Sequence, residues 1–220
     1  MRTGLLPGKE LMKMAVRNDR EYRFSGQFEI REEGEKPMVR GYASTFDVYK
    51  LFEDSEGYEW REQIMPGAFE GADMSDVVFL RDHTGQVYAR TKNGLLVLNV
   101  DGHGLLTEVD LNQTEAAREM RKDIELGNYS QMSFSFVVAE DRWEQKDKVI
   151  TRHIEKIKKL YDVSAVAFPA NPGTSIGLSY RDLFNGEIER IKAERLKAIQ
   201  ERERLKLKLR LIERSLKNEH

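Results

Sequence analysis

The chain has 220 residues, 40% of them hydrophobic, which is enough for one substantial core with extensions. Charged residues make up 34%, yet the formal net charge is only -2, so no overall charge excess points to nucleic acid as a partner. The absence of cysteine excludes disulfides, a thiol nucleophile and cysteine-ligated zinc, and no stretch approaches the roughly 18 apolar residues of a membrane span.

The first residues, "MRTGLLPGKELMKMAVRNDREY", lack the apolar centre of a signal peptide, so a flexible leader is expected over 1–23 and a cytosolic setting for the protein. From Phe24, "FSGQFEI" and "MVRGYASTF" alternate apolar and polar residues on either side of the charged turn "REEGEKP", the pattern of two strands in a hairpin or meander. "DVVFL", ending at Leu80, reads as a strand entering the core. In "LLVLNVDGHGLLTEVDL" two apolar runs meet at Asp101 to Gly104, where the Asp-Gly pair is expected to supply the positive φ of a tight hairpin. "TEAAREMRKDIELG" predicts an amphipathic helix, with Thr114 as N-cap, Ala117, Met120 and Ile124 on its inner face and Gly127 as its stop. "SQMSFSFVVAEDRW" and "KVITRHIEKIKKLYDVSAVAFPANP" read as strands around the charged turn "EQKDK", the second closed by Pro169 and Pro172.

After Pro172 the texture changes. Glu187 to Lys217 contains no proline or glycine and is rich in Glu, Lys, Arg and Leu, which predicts one long helix. From Gly186 to the end there are 11 Lys+Arg against 7 Asp+Glu, so this tail is basic while the body is acidic. Its apolar seam is continuous only in the second half, through Leu205, Leu209, Ile212 and Leu216, which leaves a solvated helix and a weak coiled coil both open. The expected organisation is a leader over 1–23, a mainly β domain over 24–180 and a charged helical extension over 181–220.

Four histidines are available for chemistry. His220 is terminal, and His103 stands in a hairpin turn where a polar residue needs no special reason. His153 shares a strand face with Thr151 and Glu155, opposite Ile150, Arg152 and Ile154, and is expected to face solvent. His83, in "LRDHTG", falls at the end of an apolar strand, at the border of core and solvent, where a structural and a catalytic role are both open. In "MSFSF", Ser133 and Ser135 alternate with Met132, Phe134 and Phe136, either as the outer face of a half-buried strand or as nucleophile candidates. Asp162 interrupts the apolar "LYDVSAV" and is a candidate partner for a base, although such a residue can also be simply exposed or ion-paired.

Several of these elements carry a resemblance. "IMPGAFEGA", "VVFLRDHTGQVYART", "GLLTEVDLN", "LGNYSQMSFSF" and "LYDVSAVAFPANPGTSI" resemble, in order and spacing from about Tyr42 to Ile176, the tailed-phage prohead proteases, the serine proteases of capsid maturation. The resemblance implies an α+β fold built on an assemblin-like β-barrel and followed by a long C-terminal helix, since herpesvirus assemblins are similar in fold and task. It also implies catalytic roles: His83 as general base, Ser133 as nucleophile and Asp162 as the acidic third member. The family commonly has glutamate where this chain has Asp162, and glycine where it has Ser135. Such chemistry requires an oxyanion hole, whose location stays open, with the backbone amides around "FPANP" as one candidate.

No cofactor is implied. The implied partners are the major capsid protein and a scaffold protein or segment, with self-association through the C-terminal helix, autocleavage, and a location in the host cytoplasm inside the assembling procapsid; neither nucleic acid nor membrane is expected as a partner. Two other classes compete. One is a catalytically inactive structural or scaffold relative of the same fold, against which the retained His83, Ser133 and Asp162 count. The other is a metallohydrolase using His83, His103 and His153, which lacks paired ligand spacing.

Overall fold

The computed structural model describes residues 20–33, 36–167 and 175–217. The chain divides into two compact units, Met1–Gly173 and Thr174–His220.

In the first unit the longest elements are β10 (Gln131–Lys146) and β11 (Val149–Val166), an antiparallel pair turning at Asp147, which takes φ 53°. β10 also pairs antiparallel with β1 (Glu21–Gln27). Along its other edge β11 carries two parallel partners in succession, β5 (Glu59–Ile64) beside its first half and β6 (Val78–Arg81) beside its second. β4 (Tyr49–Glu53) extends β5, and β7 (Thr84–Arg90) extends β6, completing a seven-stranded sheet. A second sheet orders β2 (Glu29–Glu33), β3 (Lys36–Thr45), β9 (Gly104–Val109) and β8 (Leu96–Val100) as β2-β3-β9-β8. One hydrophobic core draws on both sheets: Val39, Ala43, Leu105 and Val109 from one, Phe79, Phe134, Phe136 and Val163 from the other. At about 25 cal/mol per Å² of buried apolar surface, this core is the main force holding the sheets.

The β-barrel is not what forms. Among the described residues neither sheet closes on itself: the path β1-β10-β11-β5-β4 ends at two strands that do not pair with each other, and the four-stranded sheet ends at β2 and β8. Inward and outward alternation along a strand is the same for a barrel wall and for an open sheet packed on one face. Closure depends instead on strand tilt and shear, which residues far apart in sequence set together.

Helix α1 (Glu115–Glu125) follows the expected pattern, with Thr114 accepting from the Ala117 amide at 3.1 Å, Ala117, Met120 and Ile124 buried, and Gly127 beyond its end at φ 78°. The β8–β9 hairpin also forms, but by another device. Gly102 does not take a positive φ; the Asp101 carboxylate organises the turn by accepting from the His103 and Gly104 amides at 2.7 and 3.0 Å. The residue that must be glycine is Gly104, where a Cβ would sit 1.9 Å from the Ser44 carbonyl oxygen of the neighbouring strand.

In the second unit α2 (Ser175–Lys217) begins before the expected onset and runs through Gly177 and Gly186. A helix glycine costs only about 1 kcal/mol relative to alanine, which 43 residues of continuous helix tolerate. Leu196, Ile199, Leu205, Leu207 and Leu209 are exposed along it, and Arg190 pairs with Glu194 at 2.7 Å one turn on. Among the described residues no helix is long and apolar enough to cross a membrane.

Candidate active site

His83 is delivered by a turn rather than by a strand. Arg81, the last residue of β6, pairs with Thr84, the first of β7, leaving Asp82 and His83 as a two-residue loop with φ 47° and 58°. Two consecutive left-handed residues are what a hairpin of this length demands, and Asp and His tolerate the region better than most non-glycine residues. The turn is tied to β11, since the Asp82 amide donates to the Ala165 carbonyl at 3.0 Å and the Asp82 carboxylate accepts from the Ala167 amide at 3.3 Å. The ring is thereby fixed over the strand that carries Asp162.

Ser133 and Asp162 come from the β10–β11 ladder. Ser133 lies opposite Ser164 and Ser135 opposite Asp162, so four polar side chains share one face of two adjacent strands. All four are wholly buried, which corrects the expectation of an outer serine face: β1 pairs along the far edge of β10 with Tyr22 opposite Ser135, and the His83 ring lies against Ser133 and Tyr22.

The imidazole bridges the two strands. Its Nε2 lies 2.5 Å from Ser133 Oγ and its Nδ1 lies 2.6 Å from Asp162 Oδ1. A carboxylate only accepts, so Nδ1 carries the proton and Nε2 presents its lone pair to the hydroxyl. The single Ser133 proton has a second acceptor, the Arg23 carbonyl, at 2.8 Å. Burial by itself would raise the Asp162 carboxyl; the hydrogen bond from His83 and the attraction of that ring when protonated, with Ser135 and Ser164 donating, hold it below its ordinary value.

Further polar groups complete the surroundings. Ser164 Oγ donates to Asp162 Oδ1 at 2.8 Å, Ser135 Oγ donates to Asp162 Oδ2, and Arg20 reaches both Ser135 Oγ and Asp162 Oδ2. The Tyr22 ring stands edge-on to His83 with centroids 4.7 Å apart, and the Arg20 guanidinium lies 4.6 Å from the Tyr161 ring centroid. Arg20 and Tyr22 fall in the stretch read as a leader; the alternation of "REYRF" was the available sign that this stretch is strand. The amides around "FPANP", a candidate oxyanion hole, lie outside the described residues.

The remaining histidines stand elsewhere. His103 packs edge-on against Tyr42 in the β8–β9 turn. His153 is buried, not solvent-facing, with Nδ1 3.2 Å from Gln63 Oε1 and Nε2 3.3 Å from the Glu144 carboxylate, because β5 pairs alongside β11 and covers it. Burial, followed by the nearby Arg142 charge, pushes its pKa below the ordinary imidazole value. Among the described residues no three His, Asp or Glu side chains group as a metal site.

A family model for the Caudovirus prohead serine protease matches residues 26–188, most of the chain. The chain belongs to that family. It is therefore, at the level of the family, a hydrolase of the serine-protease type and a protein of phage head assembly. No curated protein and no solved structure is found to match it.

A second polar cluster went unread in the sequence. On the core face of β1, Glu21 and Arg23 meet Glu62 of β5, Asp141 of β10 and Arg152 of β11. Arg152 Nη1 lies 2.6 Å from Glu21 and 3.1 Å from Glu62, its Nε lies 2.6 Å from Asp141, and Tyr49 donates to Glu62 at 2.5 Å. Although burial opposes ionisation, the Arg152 and Arg23 charges hold Glu21 down at about 2, while the surrounding carboxylates raise Arg152 against the effect of its own burial. The sign was Arg152 itself, an arginine in register with Ile150 and Ile154.

Proposed function

We propose that this chain is the endopeptidase that cleaves the scaffold, or the scaffolding segment of the major capsid protein, during prohead maturation, with Ser133 as nucleophile, His83 as general base and Asp162 as the group that orients the base. The observation that carries the reading is the relay itself, with one imidazole at 2.5 Å from a serine hydroxyl and at 2.6 Å from a buried carboxylate. In this reading neutral His83 takes the Ser133 proton at Nε2 as Oγ attacks the scissile carbonyl, then delivers it to the leaving amine. Asp162 keeps the proton on Nδ1 before attack and stabilises the imidazolium afterwards, without itself being protonated. A water activated by the same Nε2 hydrolyses the acyl-enzyme.

The work would take place in the host cytoplasm inside the assembling procapsid, and would include cleavage of the protease itself. The domain layout proposed with it is a leader ending before β1 at Glu21, in place of the expected end at 23, then a protease domain reaching Gly173 and a scaffold-docking or packaging segment from Thr174 onward. The tail's basic charge and exposed leucines suit a helical, acidic partner, and they also suit self-association. The test is co-expression with the major capsid protein, followed by mass spectrometry of the products. Defined new termini with the native chain, absent with Ser133→Ala, are expected; identical products from both would refute the assignment.

A further inference from the structure

Asp162 has more donors than a base-orienting carboxylate needs. Oδ1 is shared between His83 Nδ1 at 2.6 Å and Ser164 Oγ at 2.8 Å, and Oδ2 between Ser135 Oγ and Arg20. We propose that Ser135 and Ser164 are positioning residues of the hydrolytic reaction, clamping the Asp162 carboxylate from both ends so that one oxygen alone faces the imidazole. This rests on the reading of His83, Ser133 and Asp162 as the reacting groups.

The ladder explains why these two serines can do it. Ser135 is directly opposite Asp162, and Ser164 is two residues along the same strand on the same face. An aspartate carboxylate turns easily about its last torsion, which is broad and roughly two-fold, so packing alone does not decide which oxygen meets Nδ1. A hydroxyl fixed to each oxygen removes that freedom, and both hydroxyls are anchored on strand backbone rather than on a loop. Burial makes the arrangement costly to keep idle, since a wholly buried hydroxyl without a partner is destabilising, whereas here each donates to a charged acceptor. The alternative use of Ser135, as a second nucleophile, is disfavoured by direction: its proton points at Asp162 and its oxygen accepts from Arg20 at 2.6 Å.

The geometry also couples positions 135 and 162. A glutamate at 162 is longer by one methylene and would meet Ser135 Oγ, which already touches Oδ2; a glycine at 135 would clear that space. The pair Asp162→Glu with Ser135→Gly should therefore work better than Asp162→Glu alone.

The experiment measures the rate at which a fluorophosphonate labels Ser133, located by peptide mapping, together with the NMR signal of the His83 Nδ1 proton and the thermal midpoint of each variant. A tenfold slower labelling is expected for Ser135→Ala, several-fold for Ser164→Ala, and an upfield, exchange-broadened Nδ1 proton in both, without unfolding. That proton shift is a readout that a role confined to packing would not move. The double variant Asp162→Glu/Ser135→Gly should label at least tenfold faster than Asp162→Glu. Wild-type labelling and an unmoved Nδ1 proton in Ser135→Ala and Ser164→Ala would overturn the clamp, as would strictly multiplicative effects in the double variant. Undiminished labelling of Ser133→Ala at another serine would instead overturn the assignment of the nucleophile.

Discussion

Two buried polar clusters share strands β1, β10 and β11 and lie on opposite faces of them. On one face Ser133, Ser135, Asp162 and Ser164 surround one imidazole, and the charge there is a single carboxylate with Arg20 beside it. On the other face three carboxylates and two guanidiniums are locked together with hardly any exposure. The first arrangement leaves one proton with two acceptors and so can move it. The second is saturated with ion pairs in fixed positions and can only hold strands together. Burial of polar groups is therefore no signature of chemistry in itself; an unspent proton next to a base is.

The largest effect that should separate the two faces is on rate. Ser133→Ala is expected to lose on the order of 10⁶-fold in peptide hydrolysis, and His83→Ala about as much, the two being non-additive because nucleophile and base act as a unit. Asp162→Asn should lose about 10⁴-fold. Ser133→Ala should barely change the thermal midpoint. If it unfolded the protein, the face proposed as catalytic would prove to be structural.

The complementary change is Arg152→Met. Removing that guanidinium leaves Glu21, Glu62 and Asp141 short of positive charge in the core, an expected cost of about 3–5 kcal/mol read by urea unfolding. Labelling of Ser133 per folded molecule should stay within about twofold of the native chain. A stable Arg152→Met protein with lost labelling would join the two clusters into one.

A smaller effect concerns pH. His153 has a depressed pKa in the folded state, so the unfolded chain binds more protons on acidification, and stability should begin to fall below about pH 6.5. Glu21, held at about 2, contributes stability that is complete above about pH 4.3 and is lost as pH falls towards 2. Thermal midpoints from pH 8 to pH 2 should thus decline in two stages, with the upper one absent in His153→Gln. Midpoints that hold steady down to pH 3 would contradict the ionic cluster's role.

The smallest expected effect on hydrolysis belongs to the tail. Truncation after Asn185 should leave cleavage of a soluble capsid-protein substrate unchanged and abolish incorporation into procapsids, a loss that added salt should mimic. Reduced hydrolysis by a folded truncated chain would assign the tail to the catalytic unit.

Local chemistry made much of this molecule legible from its sequence. The Thr114 cap and the 3–4 spacing of Ala117, Met120 and Ile124 define α1 without reference to the rest of the chain, and the composition after Pro172 is enough for a long helix. The serine-phenylalanine alternation and the histidine at a strand end offered positions 83, 133 and 135 as candidates, because the side-chain period is set by the backbone itself, and the family resemblance chose among them. What remained open in the residues alone was whether His83, Ser133 and Asp162 meet, since 50 residues separate the first pair and 79 the outer one. Only tertiary structure decided that meeting, the open sheets in place of a barrel, the burial of His153, and the ionic cluster under β1. All four depend on which strand edges pair, and edge pairing is settled by the summed packing of residues far apart in the chain, which no local pattern encodes.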